Sequence, residues 1–90
     1  MTNQLEALRQ EIDLIDAQIF DLFEQRLTIA KQIGAYKKEH GLSVIDSSRE
    51  DIKKDQVKAF VSPKLEPYTL ELLEVLMKTA KAVQETDYEL

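Results

Sequence analysis

Along the first third of the chain, Leu5, Leu8, Ile12, Ile15, Ile19 and Leu22, then Ile29, Ile33 and Tyr36, fall alternately three and four residues apart. That spacing marks one face of an α-helix, and no proline interrupts the chain before Pro63. The pattern predicts one unbroken helix over about 4–39. One position in the stripe, Arg26, is a cation where the pattern calls for an aliphatic side chain. A guanidinium is rarely left on an apolar seam without a partner to receive it. That partner is either an acidic residue on the helix of a second copy or a bound anion. The helix would be ~54 Å long, whereas a compact chain of this size has a radius of gyration of ~12 Å. The remaining residues cannot cover such a rod, so a second copy is expected to do so.

The rest of the chain reads as two shorter helices. Asn3 and Glu6 form a capping box for the first helix, and Gly41 ends it. Leu42 to Ile45 is a short connection. Asp46, Ser47 and Ser48 offer three capping side chains, Glu50 completing a Ser47-x-x-Glu50 box, and open a helix over about 47–60 that carries Ile52, Val57 and Phe60 inward, and Ser62-Pro63 closes it. Glu66-Pro67 opens the third, over about 67–85, where Leu70, Leu73, Met77, Ala80 and Gln84 repeat the three-four spacing. Thr86 to Leu90 is acidic and expected to fray. The expectation is one all-α domain over 1–90: a three-helix protomer with a very long first helix.

Ninety residues with 43% hydrophobic and 32% charged content make a domain whose core is marginal unless oligomerisation assists it. There is no cysteine and one histidine, which excludes a thiolate nucleophile and a histidine-based metal site. No apolar run of about 18 residues and no signal-peptide pattern is present, so no membrane span is expected, and a cytoplasmic setting fits. A net charge of −5 argues against a nucleic-acid surface. Of the 12 basic residues only Arg9, Arg26 and Arg49 are arginine. Arginine offers a planar fork for carboxylates, so these three positions carry the most information.

Lys37 lies three turns beyond Arg26 on nearly the same face, ~16 Å along the axis, so both side chains can reach a ligand lying between them. Arg9 is about 42 Å from Lys37 on the same rod and cannot join that site in its own chain. If two copies cross antiparallel near Phe20 and Asp21, Arg9 of the partner subunit comes level with Lys31 to Ile33, between Arg26 and Lys37. The second helix brings Asp46, Arg49 and Glu50 together at its N-terminus. The third adds Gln84, with Ala80 one turn before it. Each has a plainer reading: Arg9 and Lys37 as solvated cations, Asp46 and Glu50 as caps, Gln84 as a helix-end residue half in water, His40 as a dipole partner.

Together these residues are more specific. Leu8-Arg9-x-x-Ile12-Asp13-x-x-Asp16, then Arg26, Ile33-Gly34-x-x-Lys37, Asp46-x-x-Arg49-Glu50 and Gln84 resemble the all-helical class of chorismate mutases over nearly the whole chain. The resemblance implies an intertwined antiparallel homodimer with two active sites, converting chorismate to prephenate in phenylalanine and tyrosine biosynthesis. Arg26 and Arg9 of the partner subunit would hold the substrate carboxylates, supported by Arg49. Lys37 and Gln84 would bond the ether oxygen, and Glu50 with the Asp46 backbone the ring hydroxyl. Such a one-step rearrangement needs no nucleophile, metal or organic cofactor. Ala80 departs from the pattern, since many members carry a serine there; Thr79 or a water would have to replace that hydroxyl.

The nearest rival within enzymes is an isochorismate-pyruvate lyase, which shares the fold, although Asp46-x-x-Arg49-Glu50 favours the mutase. From another class, a non-catalytic helical dimerisation module would need no convergent polar groups. Some members are fused to other enzymes; ninety residues hold a stand-alone or excised mutase domain, and the resemblance leaves open whether another pathway enzyme docks on it.

Overall fold

The computed structural model describes residues 3–86, which form three helices and no strand. α1 spans Asn3–Glu39, α2 Ser47–Phe60 and α3 Glu66–Gln84. The 37 residues of α1 account for the 60 Å long axis of the molecule. Asn3 is already helical, so it is not the cap that the Asn3–Glu6 box predicts, and the acidic segment beyond Thr86 lies outside the described residues.

Two local features aim the chain at the site. Gly41 has φ 66°, Leu42 N–H donates to the Lys37 carbonyl at 2.8 Å, and Gly41 N–H donates to the Lys38 carbonyl at 3.4 Å. This Schellman arrangement needs a residue that tolerates positive φ, and it reverses the chain directly after Lys37. At the start of α2 the cap is Asp46, whose Oδ1 accepts from Arg49 N–H at 3.0 Å. The expected Ser47-x-x-Glu50 box is therefore not what closes this end. Ser47 is itself helical, and the carboxylate one residue earlier reaches the third amide while bringing full negative charge to the helix N-terminus.

α3 packs on both α1 and α2, which do not pack on each other. A cleft is left between them with α3 as its floor. The core is small: among the described residues Ala30, Val57 and Leu73 are its buried hydrophobics, and none is wholly shut off from solvent. α1 meets α3 through Ala30 and Gly34, small residues that let two helix axes approach, with Phe23 and Leu27 half-buried beside them. The long apolar stripe is a different strip of the helix. Leu5, Leu8, Ile12, Ile15, Ile19, Leu22, Ile29 and Ile33 all remain exposed, Ile19 at 50%. Ile52 and Phe60, expected to turn inward, are exposed as well, Phe60 at 80%. Because α2 touches α3 alone, only the narrow face centred on Val57 is covered.

The extended shape has measurable consequences. The radius of gyration is 16.7 Å, against ~12 Å for a compact chain of this length. The accessible surface is 7609 Å², where a compact protein of this mass exposes about 5,400 Å². No helix among the described residues is long and apolar enough to cross a membrane. Leu73, 5% exposed, is the largest side chain of the core, and Leu73→Ala is expected to destabilise the fold by about 2–4 kcal/mol. Chemical denaturation reads this as a lower midpoint.

Candidate active site

The cleft encloses about 840 Å³. α1 supplies Arg26, Ile33 and Lys37, the start of α2 supplies Asp46, Arg49 and Glu50, and α3 supplies Met77, Ala80 and Gln84. Seven of the eight residues singled out in the sequence thus meet at one place. Arg9 does not line this cavity; it lies about 25 Å from Arg26 along α1.

At one end of the cleft, Lys37 Nζ donates to the Val44 carbonyl at 2.9 Å and to Gln84 Oε1 at 3.3 Å. The first bond follows from the Schellman turn, which folds Leu42 to Ile45 back toward Lys37. An ammonium has three protons, so one is left for a ligand. Gln84 accepts from Lys37 through its oxygen, and its NH2 group is left to donate. Lysine and glutamine together therefore leave donors on both side chains for a ligand. Lys37 is thus a bonded side chain, and Gln84, the half-buried last residue of α3, is bonded to it.

Toward the other end, Arg26 Nη1 donates to the Leu76 carbonyl of α3 at 2.9 Å. Burial first, and the neighbouring Arg49 second, hold the Arg26 guanidinium below its ordinary arginine value. Neither cause is a carboxylate. Among the described residues of its own chain Arg26 meets the Leu76 carbonyl and Arg49 rather than an acidic residue. Desolvation and a like charge both penalise the cation, and an anion lodged between the two guanidiniums would relieve both. It follows that Arg26→Met should leave the unfolding midpoint unchanged or raised in the absence of ligand. The same substitution should weaken kcat/KM for a dianionic substrate by about 100-fold or more. Thermal unfolding and steady-state kinetics on one preparation test both halves.

The cleft also holds residues that the sequence reading passed over. Lys53 and Lys54 of α2 and Lys78 and Lys81 of α3 line it, so seven cations face three carboxylates there, in a chain of net charge −5. A positive cleft in an acidic molecule focuses anions toward itself. The run Lys78, Lys81, Gln84 at three-residue steps was the available signal for two of them. The Val44 and Leu76 carbonyls had none, being backbone groups. Ala80 offers the cleft a methyl group. Thr79 does not stand in for the serine hydroxyl: its Oγ1 donates to the Val75 and Leu76 carbonyls at 2.8 and 3.2 Å, and it does not line the cavity. His40 caps the last turn of α1, its Nδ1 donating to the Tyr36 carbonyl at 2.9 Å while its ring stacks on Tyr36.

The described residues form an all-helical protein with a cleft in which cations outnumber carboxylates and Arg49 is the charged neighbour of the central guanidinium. The chain belongs to the type II chorismate mutase family, whose pattern it matches over residues 8–85. It is similar to the T-protein of Haemophilus influenzae, 41% identical over 46 residues that make up 51% of this chain and 12% of that protein. It is also similar to the 4-amino-4-deoxychorismate mutase of Streptomyces venezuelae, 28% identical over 60 residues, 67% of this chain and 58% of that one. The chain spans less than two thirds of the length of each of these relatives. No solved structure gives a significant match.

Proposed function

We propose that the protein converts chorismate to prephenate, within aromatic amino-acid biosynthesis, as an intertwined antiparallel homodimer with two active sites. The observation that carries this reading is the division of the cleft into two cationic ends. Lys37 and Gln84 offer donors at one, and Arg26 and Arg49 stand at the other with no carboxylate among the described residues holding Arg26. Family membership supports the same substrate class.

In the proposed reaction a carbon–oxygen bond of the ether breaks as a carbon–carbon bond forms, within one molecule and without proton transfer. The chain's task is to hold a compact conformer of a flexible dianion and to stabilise negative charge on the departing oxygen. Arg26, Arg49 and Arg9 of the partner subunit bind the carboxylates and select the conformer. Lys37 and Gln84 donate to the ether oxygen, where such a donor contributes about 3 kcal/mol of barrier lowering, or ~100-fold in rate. Glu50, whose carboxylate takes no part in the α2 cap, and the Asp46 backbone meet the ring hydroxyl.

The dimer rests on the exposed stripe of α1 and the excess of surface over a compact chain. The difference between 7609 Å² and about 5,400 Å² is about 2,200 Å² per chain, the scale that obligate dimers bury. Antiparallel pairing along that stripe also carries Arg9 to the open side of the partner's cleft.

The test is loss of chorismate absorbance on adding the purified protein, with products separated by chromatography. Prephenate is expected. Isochorismate and 4-amino-4-deoxychorismate are run alongside, because a free Glu50 carboxylate would accept a bond from a ring ammonium as well as from a hydroxyl. Faster turnover of the amino compound would move the assignment to that substrate. Pyruvate and salicylate from isochorismate would make the protein a lyase, and turnover of none would leave a dimerisation module.

A further inference from the structure

Gln84 is the last residue of α3, a place where helices ordinarily fray, yet the proposed chemistry needs its amide held still. The structure ties down this turn at three successive steps along α1. Lys31 Nζ donates to the Thr86 carbonyl just beyond the helix. Gly34 is buried directly beneath Gln84. Lys37 Nζ holds Gln84 Oε1 at 3.3 Å. Lys37 belongs to the site itself; Lys31 and Gly34 do not line the cleft.

The close approach at Gly34 leaves no room for a side chain. A Cβ placed there would lie 2.8 Å from Gln84 Cα and 3.0 Å from both Gln84 Cβ and Cγ. The nearest atom is backbone, so no rotamer change relieves the clash and the turn itself must move. Ordinary contact begins at 3.4 Å, which requires a shift of about 0.6 Å, larger than the ~0.5 Å within which a reacting group must be held. Gly34 adopts ordinary helical φ, so conformational freedom is not what the position demands. The demand is for absence of volume.

We propose that Gly34 and Lys31 are positioning residues for Gln84: Gly34 by admitting the backbone of the last α3 turn against α1, Lys31 by anchoring the carbonyl that follows it. The inference rests on the proposed mutase reading for its kinetic consequence, but the placement of the Gln84 amide can be read without substrate.

Gly34→Ala is expected to lower kcat by about 10- to 100-fold. KM should stay within about threefold, because the carboxylate-binding arginines lie elsewhere on the cleft. In a Gln84→Ala background the same substitution should change kcat by less than about threefold, since the group it displaces is gone. Lys31→Met should lower kcat by a smaller factor, about threefold to tenfold, and Lys31→Arg should restore it. The side-chain amide resonance of Gln84, recorded by 15N NMR on the free protein, should shift in Gly34→Ala and in Lys31→Met. A near wild-type kcat for Gly34→Ala, an undiminished effect in the Gln84→Ala background, or an unmoved amide resonance would each overturn the proposal. Should Gly34→Ala fail to fold, the Lys31 pair and the amide resonance decide alone, and an unchanged kcat and resonance in Lys31→Met would overturn it. Wild-type protein that does not turn over chorismate would count against the mutase reading, while the amide resonance would still decide this one.

Discussion

Lys37→Ala is expected to reduce kcat by about 10²- to 10³-fold, the largest effect of any single substitution in the cleft. The ammonium is assigned three tasks at once. Its free proton meets the ether oxygen, its bond to Gln84 Oε1 sets the second donor, and its bond to the Val44 carbonyl holds the α1–α2 connection over the site. Removing it therefore takes away one donor and loosens another. The fold should survive, with a loss of about 1–3 kcal/mol for two charge-assisted bonds on a partly exposed side chain. Steady-state kinetics with a denaturation curve on the same sample separate the two consequences. A folded Lys37→Ala protein that retains activity would sink the site assignment.

A 1:1 mixture of Arg9→Ala and Lys37→Ala chains, each inactive alone, should recover about a quarter of wild-type activity. After subunit exchange half of the dimers are mixed, and each mixed dimer rebuilds one of its two sites from an intact Arg9 and an intact Lys37 on different chains. This follows from geometry. Arg9 is about 42 Å from Lys37 along a single rigid helix, and it does not line the cleft of its own protomer. Exchange is carried out through unfolding and refolding, with the mixed dimer followed by mass. Mixed dimers without activity would show that Arg9 is not shared. Monomers of unchanged stability would remove the dimer altogether and leave the exposed α1 stripe without an occupant.

Much of the site could be read in one dimension because most of its residues lie on helices. Arg26 and Lys37 share a face through a separation of eleven residues, and Ala80 and Gln84 through a separation of four, so helical geometry alone brings each pair to one side. Asp46, Arg49 and Glu50 crowd one helix start. The readings that failed have a common cause. Ile52 and Phe60 have the spacing of an inward face, but spacing says only that a face exists, not whether a neighbour covers it. Ser47 and Asp46 are equally good caps in sequence, and the choice between them depends on where the connection from Gly41 arrives. For Arg26 the sequence marked a cation on an apolar face, and it took the packing of α3 to supply the Leu76 carbonyl and Arg49 as its neighbours within the chain.

By itself the sequence determined three helices, their order, a first helix too long for its own chain, and a set of cations in a chain without a cysteine nucleophile. These are consequences of local periodicity and composition, which act within a turn or two of each residue. Only the tertiary structure decided that α3 would lie on the Ala30 and Gly34 strip and leave the longer apolar stripe bare. It alone decided that Lys37 and Gln84, forty-seven residues apart, would be bonded to each other, and that α1 and α2 would stand apart to open a cleft. Such choices turn on which helix face meets which, and on backbone groups such as the Val44 and Leu76 carbonyls that every residue carries and no sequence pattern can mark.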